Sequence, residues 1–231
     1  MEQVIKSIYP KSQEGMAMTL SCINKLRDEH NFDFKKTILG TSVCSDEIVR
    51  TATNFRDYLD NESPFSLGGL GGFPFTGITG FIAFSGHIPD NGFAIIEYGP
   101  HIGVSKNGSV GSVKRSGQAS ETTCCGALKV SVNKLKDEKS VTADPDLDYQ
   151  QWKLETAISQ NKDAVVSSED PLVAATDIMY ESIDERIKHL LKETSTYFKN
   201  TTVALVGGII INTDHGLRDW FDLREFSVHT F

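Results

Sequence analysis

The run TTVALVGGIIINTD, residues 201–214, constrains the fold of this chain more than any other segment. Its apolar residues follow one another without polar alternation, so it reads as a strand buried along its length. Before it, DPLVAATDIMYESIDERIKHLLKE places Leu172, Ile183, Ile187, Leu190 and Leu191 on the core face of a long helix. After it, WFDLREFSVHTF reads as a last strand. Earlier, FKKTILGTSVCSDE has apolar Ile38, Leu39 and Val43 with β-branched Thr37 and Thr41 between them, a strand ending at Cys44. Ser45 is then a natural N-cap, Asp46 and Glu47 suit a first helical turn, and Ile48, Ala52, Phe55 and Leu59 recur at helical spacing. Cys44 is thus expected at the carboxyl end of a strand, at the mouth of a strand-to-helix turn. In open α/β sheets ligands collect at such places, and a helix N-terminus favours a thiolate.

The remaining segments are less regular. EGMAMTLSCINKLRDEH predicts an amphipathic helix with Met16, Leu20, Ile23 and Leu26 near helical spacing and an inert Cys22 riding on it. The glycine-rich stretch from Ser63 to Gly80 has no Lys-Ser/Thr pair, which argues against a nucleotide phosphate loop. GFIAFSGHI, PDNG and FAIIEYG read as strand, turn and strand, a hairpin over residues 80–98. A second turn at KNG is expected to pair HIGVS with SVGSVKR. CCGAL reads as a helix start, and residues 133–148 as a polar loop or linker.

The chain has 231 residues, enough for one sizeable core, and one domain is the default expectation. No apolar run approaches the roughly 18 residues of a membrane span. A formal charge of −8 without a dense Lys/Arg cluster disfavours nucleic acid as partner. Small or neutral ligands fit better. The start of the chain has neither a secretory signal nor a transit-like composition, so a soluble intracellular protein, or one whose presequence has been removed, is expected.

Four cysteines are too few for a disulfide scaffold, and reduced thiols are the better reading. Catalytic zinc takes three protein ligands from Cys, His and carboxylates and leaves one position for water. Cys44, a histidine, and one of the adjacent Cys124 and Cys125 are the candidates. Two histidines compete for the ligand role, His87 in GHIPD and His101 in YGPHIG. The one that does not ligate is a candidate for proton transfer.

CSDEIVR, from Cys44 to Arg50, resembles the Cys-x-Asp-x-Arg element of β-type carbonic anhydrases, and GPHIG with CCGAL their second ligand region. Taken together, CSDE, LGGLGGFPFTGITGF, HIPDNG, YGPHIG, KRSGQ, CCGAL and GGIIINTD resemble the limiting-CO2-inducible family of algae and diatoms, the LCIB-like or θ-type carbonic anhydrases. The resemblance spans residues 40–228. It implies an α/β fold, a single domain (1–231, with a helical N-terminal region to about residue 34) built on a mostly parallel sheet flanked by helices. It further implies zinc held by Cys44, His101 and Cys125, reversible hydration of CO2 to bicarbonate in a CO2-concentrating mechanism, a homodimer, and a chloroplast location. Asp46 is the helper carboxylate, which needs a cation. The β-type pattern places an Arg at position 48, where this chain has Ile48, so Arg50 and Arg115 are the candidates. His87 is then the proton shuttle, and Phe73, Phe75 and Gln118 line the CO2 pocket. Two rival functions are a catalytically silent CO2- or bicarbonate-responsive protein of the same fold and a thiol enzyme using Cys44 as nucleophile.

Overall fold

The computed structural model describes residues 1–60, 63–138 and 141–231, with the side chains of Arg50 and Thr51 outside the description. The first helix, α1 (Glu2–Ile8), leads through a short strand, β1 (Gln13–Glu14), into α2 (Gly15–His30). β2 (Thr37–Ser42) follows, then the two-residue β3 (Phe65–Ser66), α3 (Gly77–Ser85), β4 (Phe93–Tyr98) and β5 (His101–Gly103). A small antiparallel ribbon of β6 (Ser112–Val113) and β7 (Thr122–Thr123) precedes α4 (Gly126–Lys136). The rest is α5 (Tyr149–Ser159), α6 (Lys162–Val166), α7 (Pro171–Glu193), β8 (Thr202–Asn212) and β9 (Trp220–Thr230).

Among the described residues seven strands form one sheet, ordered β1-β9-β8-β4-β2-β3, with β5 also on β8. From β3 to β8 all pairings are parallel; β9 and β1 run antiparallel at one end. The apolar run of residues 202–212 is β8, at the centre of this sheet and buried along almost its whole length. α7 and α3 pack on one face, with α4 to α6 around α7, while α2 lies against β9 on the other. Leu172, Ile183, Ile187, Leu190 and Leu191 are all buried, as their spacing predicts. The protein is α/β with a mostly parallel central sheet between helices.

Four local expectations are corrected. α2 is helical, but it buries Met18, Thr19, Cys22, Ile23 and Leu26, leaving Met16 58% and Leu20 47% exposed. Residues 46–59 form two 3₁₀ turns, Glu47–Thr51 and Phe55–Tyr58, in place of one α-helix. Buried Val49, Ala52 and Phe55 recur every three residues, the 3₁₀ period, and Asp46 rather than Ser45 is the N-cap. The hairpin over 80–98 is α3 followed by β4. Phe81 and Phe84, spaced for a helix, are both fully buried, and a short, wholly apolar segment carries no alternation to tell strand from helix. The loop expected over 133–148 begins only after α4 ends at Lys136, and residues 139 and 140 lie outside the described residues.

β8 pairs with β4 through its first half and with β5 through its second. Between β4 and β5 the chain passes through Gly99, whose φ of 148° and closeness to β8 both demand glycine: a Cβ there would lie 1.7 Å from the Gly208 carbonyl oxygen. The glycine-rich loop crosses at the same point, a Cβ on Gly72 falling 2.2 Å from the Gly99 oxygen. Gly99→Ala is expected to lower unfolding free energy by more than about 2 kcal/mol in chemical denaturation. Gly117→Ala, with φ of 75° and open space around it, isolates backbone strain and should cost only about 1 kcal/mol.

Candidate metal centre

Three buried side chains from separate elements meet beyond the carboxyl edge of the parallel strands. Cys44 lies two residues past β2, His101 opens β5 immediately after the Gly99-Pro100 crossing, and Cys125 is the N-cap of α4. One donor atom from each of the three lies within 4.8 Å of the others. A second set, Asp46, His101 and Cys124, satisfies the same limit and shares the histidine. Adjacent Cys124 and Cys125 therefore both approach the imidazole, Cys124 with its Sγ 3.4 Å from Nδ1.

The state of His101 follows from its neighbour. Asn212, the last residue of β8, has its amide nitrogen 3.2 Å from the Ile48 carbonyl and 3.1 Å from Asp219 Oδ2, both acceptors. The amide orientation is thereby fixed, with Oδ1 turned to His101 Nδ1 at 2.9 Å. Nδ1 therefore carries the hydrogen, and Nε2 is left as the ligand nitrogen. Among the described residues His101 Nε2 is buried with no hydrogen-bond partner. A buried ring nitrogen without a partner calls for one.

The thiols supply matching charge. The hydrogen bond from the Cys125 thiol pulls Cys44 down to about 4, against burial, with His101 and the Asp46 backbone N–H adding to it. Gly71 N–H also donates to Cys44 Sγ at 3.3 Å. The same shared proton, together with burial, pushes Cys125 well up. Burial opposes a charged His101, but the Cys124 and Cys125 sulfurs outweigh it and hold the ring well above its ordinary value. Without metal the pocket thus retains protons that a cation would displace.

Asp46 has its cation in Arg115, whose Nη2 lies 2.7 Å from Oδ2; both side chains are mostly buried. Arg115 is itself placed by the β7 strand, donating to Thr122 Oγ1 at 2.6 Å and to the Thr123 carbonyl at 3.1 Å, and it also approaches Glu47 at 3.3 Å. The side chain of Arg50, the other candidate, lies outside the described residues.

His87 is exposed on the turn after α3, edge-on to Phe65 at 5.3 Å. It precedes β4, whereas His101 follows it, so the two lie at opposite edges of a strand roughly 17 Å long. The described chain does not bring His87 to the cluster, and its separation from His101 is the one the expected hairpin also implied. Phe73 and Phe75 pack on one another in a tilted arrangement at 5.2 Å, and Phe75 lies against Tyr149 of α5; neither lines the cavity at Cys44. Gln118 lines a different cavity of about 460 Å³ beside Arg115. The sequence reading missed Asn212, whose signal is a polar residue closing an apolar strand, and Glu97, a charged residue inside one.

In metal-free protein, Cys125→Ala should move the Cys44 titration upward from about 4, because it removes the largest cause of the depression. Thiolate absorbance in the ultraviolet, followed against pH, reads the midpoint.

Residues 14–230 match the family model for limiting CO2-inducible proteins B/C beta carbonic anhydrases. The solved structure of PtLCIB4, described as a homolog of the limiting CO2-inducible protein LCIB, is 30% identical, with a TM-score of 0.90 over 100% of this chain and 96% of that one. The structure of LCIB itself, at 20% identity, shares the fold, with a TM-score of 0.70 over 96% of this chain and 92% of that one. None of the curated proteins matches the chain. A match over nearly the whole length, on a fold that gathers two cysteines and a histidine at the sheet edge, places this chain in the LCIB family of carbonic-anhydrase-type proteins.

Proposed function

We propose that the protein is a zinc-dependent carbonic anhydrase that interconverts CO2 and bicarbonate, with Cys44, His101 and Cys125 as the metal ligands. The observation carrying this reading is the orphaned Nε2 of His101 beside two sulfurs in a buried pocket. Two sulfurs and one imidazole form a donor set suited to zinc and leave a fourth position for water or substrate. When bound, zinc would supply the Lewis acidity that makes water nucleophilic near neutral pH.

The chain's own groups do the rest. Asn212 keeps the hydrogen on His101 Nδ1 and so presents Nε2. The hydrogen bond from Cys125, then His101 and the Asp46 backbone N–H, favour Cys44 as an anion, and the Gly71 N–H donates to the same sulfur. Asp46 is tethered through Oδ2 to Arg115, which favours its use as a hydrogen-bond acceptor for the reacting water over direct ligation. Among the described residues its other oxygen accepts a long contact, 3.5 Å, from the Ile48 N–H. The remaining parts of the proposal, one domain, a homodimer and a chloroplast CO2-concentrating role, rest on the resemblance to the family alone.

The purified protein should contain close to one zinc per chain, and Cys44→Ser should lose it, by elemental analysis. Asp46→Asn should keep the zinc and lose about 10²-fold or more in stopped-flow CO2 hydration. Zinc-free native protein in which Cys44 is rapidly alkylated would favour the thiol-enzyme reading, and zinc-loaded protein inert toward CO2 the silent binding protein.

A further inference from the structure

Glu97 is the charged residue of β4, 5% exposed, in a strand otherwise made of apolar and aromatic side chains. Neighbouring Tyr98 faces α7, bonding Asp184 at 2.6 Å, so Glu97 points to the other side of the sheet. There it lines a cavity of about 780 Å³ whose wall also includes Cys44, Ser45 and Thr53. Thr53 Oγ1 donates to its Oε1 at 2.6 Å. Among the described residues the titratable and charged groups around it are Cys22 from α2, Cys44 beyond β2, and exposed Arg56 and Asp57 at the cavity rim. Cys22, pushed up to about 12 by burial, stays a neutral thiol. A carboxyl buried with one hydroxyl donor is poorly compensated as an anion. Burial accordingly raises Glu97 to about 7, with the Thr53 bond pulling the other way.

Resting on the carbonic anhydrase reading, we propose that Glu97 is the proton acceptor of the reaction. Each CO2 and water that become bicarbonate release one proton: the C–O bond forms, an O–H bond of water breaks, and the proton passes through water in the cavity to a Glu97 carboxylate oxygen. Glu97 then releases it at the rim to a buffer base, which regenerates the carboxylate. A group titrating near neutrality exchanges protons in both directions at working pH. The described chain keeps His87 away from the cluster, whereas Glu97 and Cys44 share one cavity.

The test is stopped-flow CO2 hydration by zinc-loaded native protein, Glu97→Gln and Thr53→Val at several buffer concentrations. Glu97→Gln should lower kcat about tenfold or more in dilute buffer, leave kcat/KM and zinc content within about twofold, and be restored by concentrated imidazole. Thr53→Val removes a bond that favours the carboxylate, so the pH midpoint of kcat should move upward from near 7. An active native protein with unchanged kcat in Glu97→Gln, or with kcat and kcat/KM falling together without buffer rescue, overturns the proton-transfer role alone. If Glu97→Gln does not fold, an unmoved kcat midpoint in Thr53→Val overturns it. A zinc-loaded native protein inert toward CO2 overturns the carbonic anhydrase reading and this one with it.

Discussion

The parallel pairing of β8 with both β4 and β5 is the constraint on which the site depends. Tyr98 opposite Gly207 and His101 opposite Ile210 keep one register across the Gly99-Pro100 interruption. His101 is therefore held by the central strand even though its own strand is three residues long. The same β8 ends in Asn212, which fixes the hydrogen on His101 Nδ1. One strand thus sets both the position of the imidazole and the nitrogen it presents.

That arrangement explains where glycine is needed. Cys44 approaches His101 because β2 and β4 run parallel in register and both chains leave the sheet at the same edge. The loop bearing Gly71 and Gly72 must then cross directly over Gly99, and backbone meets backbone at a distance no side chain would allow. The crossing also turns Gly71 N–H toward Cys44 Sγ. Close packing and stabilisation of the anionic sulfur are two results of one local geometry.

The sheet and its long helix were legible in the sequence because their patterns are long: residues 202–212 are buried nearly throughout, and α7 repeats its apolar residues over 23 positions. α3 was not, since nine residues lacking polar alternation fit either period. Residues 46–59 failed for a related reason: apolar positions three and four apart suit 3₁₀ and α-helix almost equally over so short a span. Cys44, His101 and Cys125 were named from residues and family resemblance, and their convergence depends on strand order, which no local pattern encodes. Arg115 lies 69 residues from Asp46, and only the β6–β7 ribbon brings it there. Asn212 acts through a tertiary hydrogen bond and left just a polar end to an apolar run.

Asp46, beside the imidazole, and Glu97, in the cavity that Cys44 lines, differ in what surrounds them, and that difference suggests a division of labour. Asp46 is ion-paired to a guanidinium that is itself bonded to β7, so its direction is fixed beside the sulfurs and imidazole. Glu97 has a hydroxyl partner in a buried cavity, and burial outweighs that single bond. A carboxylate locked to a cation suits orientation, whereas one poised near neutrality suits proton exchange. Asp46 Oδ2 is engaged by Arg115 at 2.7 Å, which leaves that oxygen occupied in the ion pair. The fold draws one carboxylate from the turn after β2 and the other from within β4, in the cavity that Cys44 also lines.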